Sequence, residues 1–571
     1  MASLRRLRVT NYRSIGTSVE LLFPAKMPVV LVGENNAGKS NIVRALNLIL
    51  GPFWPGNIEP DDADFHGRAR RAPIEIVTDF DDHDALGERF TQLTWRYDPG
   101  ADAIRQKPVR FDGRTLDGRQ DAWPKQTDRD TCTCVVLEAD RKLSYHLGYS
   151  SKSTMLSRLM HRFHRALSQH AATRAELEDL FAKVKDAFGK IPEFAEFSGT
   201  LKSQLGGMLT SMTHRLEVDF EAYNPSNFFH ALRLQAAEGD VPRALDEMGT
   251  GEQEVLAMAF AYAYAEAFHG GIVLVVEEPE SHLHPLAESW LARRLRELCS
   301  GGLQVVLTTH SPHFVDLLGL EGLALTTKNG GETAVAQKTR GELATYCQNT
   351  GAPQAQAATV LPFYAAHATR EILEGFFARV VVLVEGPTEA LALPICLERG
   401  GLNCAKDGIA IISVSGKGNL SKWFRLFTLY EIPTYVIFDN DQTRDAVGAR
   451  REGVLKALGI AADQWPKILA IGDVVINDEF AVFGKDFESS MRLLFPEYAT
   501  LEAKAASVGI DPESKPILAR WVAEQLPHDP QASGWKTIAD LSGRLRKLLP
   551  GVGPRVEEVP KAAAEDDDIP F

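Results

Sequence analysis

Long hydrophobic runs are the first thing missing from this sequence. No apolar stretch approaches the roughly 18–20 residues that cross a bilayer, and Met1-Ala2-Ser3-Leu4-Arg5-Arg6 leads straight into an alternating strand pattern with no signal-peptide core. Neither a membrane role nor export is therefore expected. Cysteine is scarce as well, with six in 571 residues (Cys132, Cys134, Cys299, Cys347, Cys396 and Cys404). Only Cys132-Thr133-Cys134 is close-set, and no second pair completes a zinc site. Buried thiols in a reducing, cytoplasmic setting are the expectation. A positive excess is absent too: 62 Lys and Arg face 76 Asp and Glu, for a net charge of −14. That excludes indiscriminate coating of a polyanion but leaves room for a local basic surface.

Length excludes a single ordinary core. An apolar strand at 29–32 runs into a glycine loop and a helix near 41–46, and residues 73 to 145 are strand-rich. From about 152 to 212 the pattern is helical, and a second α/β pattern begins near Arg379. The expected division is 1–150 and 213–370 as two lobes of one nucleotide-binding unit, with 151–212 as a helical insertion and candidate dimerisation element. A further α/β domain with C-terminal helices would occupy 371–550, and 551–571 would be a disordered acidic tail.

Gly33-Glu34-Asn35-Asn36-Ala37-Gly38-Lys39-Ser40 fits the phosphate-loop pattern, in the strand–loop–helix context that pattern requires. Its glycines let backbone N–H groups turn toward phosphates, Lys39 reaches the β/γ-phosphates, and Ser40 can ligate Mg²⁺. Gly33, Asn35, Asn36, Gly38 and Asn41 complete the expected ATP contacts. Ile272-Val273-Leu274-Val275-Val276 is a buried strand ending in Glu277 and Glu278. Glu277 would hold Mg²⁺ directly or through water, and Glu278 would polarise the attacking water. A strand at 305–309 ends in His310, placed to sense the γ-phosphate. With Met248-Gly249-Thr250-Gly251-Glu252-Gln253 upstream, the set resembles an ABC-type ATPase head of the SMC/RecF-like kind. Gly249, Thr250, Gly251 and Glu252 stand where that family's signature motif binds the γ-phosphate from the opposite protomer, so the resemblance implies a dimer. Two departures from the family are plain: a Glu replaces the strand-terminal Asp, and Gly249-Thr250 replaces the usual serine.

A second set of acids lies further on. Val380 to Val384 is an apolar run ending in Glu385, with Glu389 in the helix opening at Thr388 or Glu389. Tyr435-Val436-Ile437-Phe438 ends in Asp439-Asn440-Asp441, where period two puts both aspartates on one face. Four carboxylates converging at strand ends repel one another unless divalent cations sit among them. Oxygen donors suit Mg²⁺ or Mn²⁺, and Ca²⁺ is also admissible, rather than zinc. The pattern resembles a Toprim domain, with the glycine-rich Ser413-Val414-Ser415-Gly416-Lys417-Gly418 between its acidic strands. An ABC head followed by a Toprim domain resembles the OLD (overcoming lysogenization defect) family of nucleases over nearly the whole chain. The implied fold is α/β: an SMC/RecF-like head with a helical insertion, then a Rossmann-like Toprim domain with C-terminal helices. The family implies two-metal cleavage of DNA assisted by a further acid and a lysine. Glu488 is the candidate acid, Lys515 the first candidate lysine and Lys536 the second.

The last residues, Asp566-Asp567-Asp568-Ile569-Pro570-Phe571, resemble the tip of bacterial single-stranded-DNA-binding protein. That resemblance implies docking on a helicase or another DNA-metabolism enzyme through an apolar pocket and a basic ridge. The whole pattern leads to an ATP-regulated, metal-dependent DNA endonuclease in phage defence or repair. A non-catalytic DNA-binding scaffold and an RNA-directed nuclease are the alternatives.

Overall fold

The computed structural model describes residues 2–101, 107–138, 170–192, 196, 236–238, 241–243, 249, 252–253, 256, 259, 263, 271–281, 283–441, 445, 448–511 and 513–550. Most of the expected helical insertion, the signature residues Thr250 and Gly251, and the tail with its Ile-Pro-Phe tip lie outside the described residues.

In chain order the strands are β1 (Leu4–Thr10), β2 (Val19–Leu22), β3 (Val29–Val32), β4 (Ile74–Phe80), β5 (Phe90–Tyr97), β6 (Val109–Thr115), β7 (Cys132–Leu137), β8 (Ala236–Glu238) and β9 (Val241–Arg243). They continue as β10 (Gly271–Glu277), β11 (Gln304–Thr308), β12 (Leu323–Asn329), β13 (Glu332–Gln337), β14 (Val380–Val384), β15 (Ile409–Ser413), β16 (Thr434–Asp439), β17 (Val475–Ile476) and β18 (Phe480–Phe483). The helices that matter for the site are α1 (Lys39–Leu50), α2 (Pro285–Ser300), α3 (Pro387–Arg399), α4 (Lys417–Leu429), α5 (Phe487–Leu494), α6 (Lys515–Gln525) and α7 (Ser533–Leu548).

The first sheet runs β2-β1-β4-β5-β6 and is antiparallel throughout. Alternation decides its orientation: Leu4, Leu7 and Val9 of β1 are buried, while Arg6 and Arg8 on the other face pair with Asp79 of β4 at 2.8 and 3.5 Å. The second sheet runs β13-β12-β3-β11-β10-β7, parallel except for β13. Its inner strands are covered on both faces, which is why β10 reads as an unbroken apolar run. Val273 and Val275 pack toward the first sheet and α1, whereas Leu274 and Val276 pack toward α2. The third sheet, β15-β14-β16-β18-β17, is parallel except for β17. Val380, Val382 and Val384 face α3, α6 and α7, and Val381 and Leu383 face α4.

One apolar core spans the second and third sheets, running from Val30 and Val32 through Leu320 and Leu323 to Trp423 and Phe427. Polar seams reinforce it: the Tyr430 hydroxyl meets the Leu320 and Leu323 carbonyls at 3.3 and 3.4 Å, and Arg425 donates to the Thr350 carbonyl at 2.6 Å. All six cysteines are buried, and none forms a disulfide. Among the described residues no helix is long and apolar enough to cross a membrane.

Two local expectations shift. Helix α3 begins at Pro387, one residue before Thr388, because proline's fixed φ and missing N–H suit a first helical position. Strand β16 ends at Asp439, so Asn440 and Asp441 lie beyond the strand instead of extending it.

Candidate functional site

The nucleotide centre is built where β3 meets α1. Gly33 leaves the strand at φ 136°, so close to β12 that a Cβ there would lie 2.0 Å from the Thr326 carbonyl oxygen. Asn36 (φ 66°) and Gly38 (φ 110°) turn the loop over the start of α1. That helix has no side-chain cap and no acid in its first turn, so its leading N–H groups face an incoming anion without competition. Lys39 is buried and folds over the loop, donating to the Gly33 and Glu34 carbonyls at 2.9 Å each. Burial pulls its ammonium down to about 8, against the opposing pull of Glu278, Glu280 and Glu34.

Asn35 and Asn36 are exposed at the loop's tip. The Asn41 side chain instead points inward, donating to Ser14 Oγ at 2.7 Å, and so braces the loop from behind. Thr333 completes that brace, meeting Ser14 at 2.7 Å and donating to the Ala37 carbonyl at 2.8 Å.

The expected companions close in from β10 and β11. Ser40 hydrogen-bonds Glu277, whose carboxyl is pushed up chiefly by burial. Glu278 sits at φ 46°, an uncommon conformation for a non-glycine residue, anchored by its N–H to the Thr308 carbonyl at 2.8 Å. His310 is held below its ordinary value by burial and by Lys39, which favours the neutral imidazole. Glu280, not singled out in the sequence, joins them: it accepts from Thr309 Oγ1 at 2.8 Å and from the His310 N–H at 2.5 Å. Its only signal was its place two residues beyond Glu278. Of the signature residues, Gly249 and Glu252 are joined by a 3.2 Å hydrogen bond.

The second centre lies at the C-terminal edge of the third sheet. Glu385 comes directly after β14 and Asp439 ends β16, the neighbouring parallel strand. The Asp439 N–H donates to Glu385 Oε1 at 2.9 Å. Glu389, in the first turn of α3, is only 5% exposed, and burial with Glu385 and Glu488 nearby pushes it up to about 7. Asp439 is pushed up to about 9, first by burial and then by Glu389 and Glu385. Its Oδ1 is buried with no hydrogen-bond partner. Acids so crowded fit a hard cation, which would supply both the charge and the ligand-seeking centre that Oδ1 lacks.

Asn440 explains how the Asp-Asn-Asp tip is held. Its Nδ2 lies 3.2, 2.8 and 3.1 Å from the carbonyls of Ile468, Leu469 and Ile471, and its Oδ1 accepts from Arg451 at 3.0 Å. Arg451 is in turn paired with Asp445 at 3.1 Å. Glu488, in the first turn of α5, pairs with Lys515 at 3.2 Å. Lys536 is exposed on α7.

Two contributors were missed. Asp486, the N-cap of α5, adds negative potential at Asp439. Lys417, at the start of α4, reaches Glu385 Oε1 at 3.3 Å and the Asp441 carbonyl at 3.4 Å. Its signal lay in the glycine-rich turn, which marks a loop but not where a lysine tip ends. Glu385, Glu389, Asp439 and Asp441 come within electrostatic reach of one another, Asp439 feeling Glu389 and Glu385, and Glu385 feeling Asp441. Among the described residues no group of three acid, His or Cys side chains closes into a ready ligand set, and an ammonium stands against Glu385.

Comparison with known proteins bears on both centres. Residues 376–441 match the family described as overcoming lysogenization defect protein-like, TOPRIM domain, and residues 136–316 match an AAA domain described as putative AbiEii toxin, Type IV TA system. The chain is 28% identical over 460 residues to an OLD nuclease of Thermus scotoductus, spanning 77% of this chain and 82% of that protein. It is also 24% identical over 483 residues to the Old nuclease of Escherichia phage P2, spanning 77% of each. The chain is thus similar to OLD nucleases over most of its length. Glu385, Glu389, Lys417, Asp439 and Asp441 fall in the matched OLD-like TOPRIM residues, Asp486, Glu488 and Lys515 lie beyond them, and the β10–β11 acids fall in the matched AAA domain. Among solved structures, the Smc head bound to the C-terminal winged-helix domain of ScpA aligns with a TM-score of 0.35 at 16% identity, covering 58% of this chain and 97% of that one.

Proposed function

We propose that this chain is an ATP-governed nuclease that hydrolyses DNA phosphodiester bonds with divalent cations held in its TOPRIM domain. The observation that carries this reading is the set of Glu389, buried, with Glu385 and Asp439, half-buried, at one edge of a parallel sheet, acids whose proton affinities are raised by burial and by neighbouring carboxylates. Such a set exchanges protons for a hard cation. Glu385, Glu389, Asp439, Asp441 and Glu488 would hold Mg²⁺, with Mn²⁺ or Ca²⁺ using the same donors. The ion would supply an acidified water and charge stabilisation at the phosphate oxygens.

The chain's own residues do the rest. The Asp439 N–H and Asn440 fix where the carboxylates stand. Lys515, more exposed than its partner Glu488, is our first choice to offset charge developing on the phosphate, with Lys536 second.

Mg-ATP would bind Gly33 to Ser40, with Lys39 on the phosphates, Ser40 and Glu277 toward the ion, Glu278 toward water and His310 toward the γ-phosphate. Gly249 to Glu252 would complete that site from a second copy, making the working unit a homodimer or larger. The domain boundaries at residues 150, 212, 370 and 550 belong to this reading, as does a cytoplasmic role in phage defence or DNA repair. So does the tip Asp566 to Phe571 as a dock for an enzyme that binds single-stranded-DNA-binding protein. Loss of no partner in a pull-down after deletion of Ile569 to Phe571 would remove that last element.

The test of the whole reading is cleavage of supercoiled plasmid in Mg²⁺ or Mn²⁺, with and without ATP, for wild type and Asp439→Ala. Nicking or linearisation that disappears in the variant is expected. Cleavage equal in both proteins would refute the site, and cleavage of RNA alone would reassign the substrate.

A further inference from the structure

We propose that Lys417 is an internal cation that holds the TOPRIM carboxylates in place and is displaced when a divalent ion enters. The inference rests on the metal-dependent reading above. The Lys417 side chain is 8% exposed, and its ammonium lies 3.3 Å from Glu385 Oε1 and 3.4 Å from the Asp441 carbonyl. Both partners belong to the residues that would surround the ion.

The same Glu385 oxygen also takes the Asp439 N–H, so three of the site's positions are tied through one atom. An ion ligated through Oε1 would meet the ammonium at close range, and their mutual repulsion weakens the lysine's hold on that oxygen. That repulsion favours withdrawal of the lysine, which has the means. Its four-carbon stem is flexible. It starts α4 directly behind Ser415 (φ 58°) and Gly416 (φ 119°), and a Cβ added at Gly416 would meet nothing within 4 Å. There is open space beside the turn that carries the lysine.

Lys417 is thus a positioning residue that acts through Glu385. It neutralises an acidic cluster that would otherwise be crowded by like charge, and it sets a threshold that an incoming ion must overcome. A permanent structural ion pair would instead leave Lys417 unmoved by metal; its removal would still ease charge repulsion on the ion, so it is the movement of Lys417 that separates the two.

Two measurements on the full-length protein, stripped with EDTA, decide between these. In the first, Mg²⁺ binding is followed calorimetrically for wild type, Lys417→Gln and Asp439→Asn. Lys417→Gln is expected to bind about tenfold more tightly, the gain from freeing a site that its own lysine holds nine-tenths of the time. In the second, wild-type lysines are acylated with an amine-reactive ester and read by mass spectrometry. Lys417 is expected to be protected in EDTA and to become reactive when Mg²⁺ is added, with no such change in Asp439→Asn.

Unchanged or weaker binding by Lys417→Gln, or labelling indifferent to Mg²⁺ in a wild type that binds it, overturns the inference and leaves the metal site standing. Should Lys417→Gln fail to fold, the labelling result alone decides. If Asp439→Asn binds Mg²⁺ as wild type does, the metal reading itself falls and takes this inference with it.

Discussion

Asp439 shows how much chemistry a single position can draw from its surroundings. An exposed aspartate ionises near 4, yet burial and the neighbouring Glu389 and Glu385 push this one up to about 9, and Glu389 itself to about 7. The consequence for stability has a definite sign. The folded protein keeps both protons at pH values where the unfolded chain has released them, so their contribution is fully present at low pH. It is lost as pH rises from the unfolded values near 4 through about 7 for Glu389 and about 9 for Asp439. In EDTA the melting temperature is therefore expected to fall over that window, and saturating Mg²⁺ is expected to restore it progressively more as pH rises. Asp439→Asn should flatten both trends. Thermal melts at a series of pH values check this, and a wild-type slope matched by the variant would show that Asp439 is not its source.

Asn440 carries the argument at the scale of an element. Strand β16 delivers Asp439 by its parallel ladder with β14 and β18, but the residues just beyond it owe their place to one amide that ties the tip to Ile468, Leu469, Ile471 and Arg451. Asn440→Ala would strand those carbonyls and the Arg451 guanidinium in a buried setting, at a cost of about 1–3 kcal/mol. Urea denaturation is expected to register that loss, and plasmid cleavage is expected to fall further than stability alone explains, because Asp439 and Asp441 lose their common anchor. A variant as stable and as active as wild type would refute the anchoring role. The glycine loop works at the same scale: Gly33 answers to the backbone of β12, a strand almost 300 residues away in sequence, so its identity is a matter of packing as well as of phosphate binding.

Across the whole molecule, the ATPase and TOPRIM sheets share one core, and an electrostatic link between them lies beside the nucleotide loop. Glu34, inside that loop, pairs with Arg379 at 3.1 Å, and Arg379 immediately precedes β14, whose far end carries Glu385. Arg379 also donates to the Pro550 carbonyl at 2.9 Å, and the junction borders an open pocket of about 420 Å³ lined by Gly33, Glu34, Phe376 and Tyr430 among others. A nucleotide that reordered the loop would act on Glu34, and through Arg379 on the strand that presents the proposed metal ligands. Arg379→Ala is expected to retain nucleotide binding and cleavage while losing most of the difference between cleavage rates with and without ATP. Fluorescent-nucleotide titration alongside the plasmid assay measures both, and an undiminished ATP effect would show that the coupling runs elsewhere.

The sequence by itself determined the two chemistries and the fold class. Phosphate-loop glycines, apolar strands ending in acids and a proline opening α3 are local statements that backbone geometry and burial make wherever they occur. The acids' placement was legible too, because a buried parallel strand delivers the residues at its C-terminal end to one edge of the sheet. Only the tertiary structure decided which lysines stand near those acids, that Glu280 joins the nucleotide centre, that Asn41 faces inward, and that Glu34 meets Arg379. Those contacts join residues far apart in the chain, and a long flexible side chain ends where packing and charge take it, which no spacing in the sequence records.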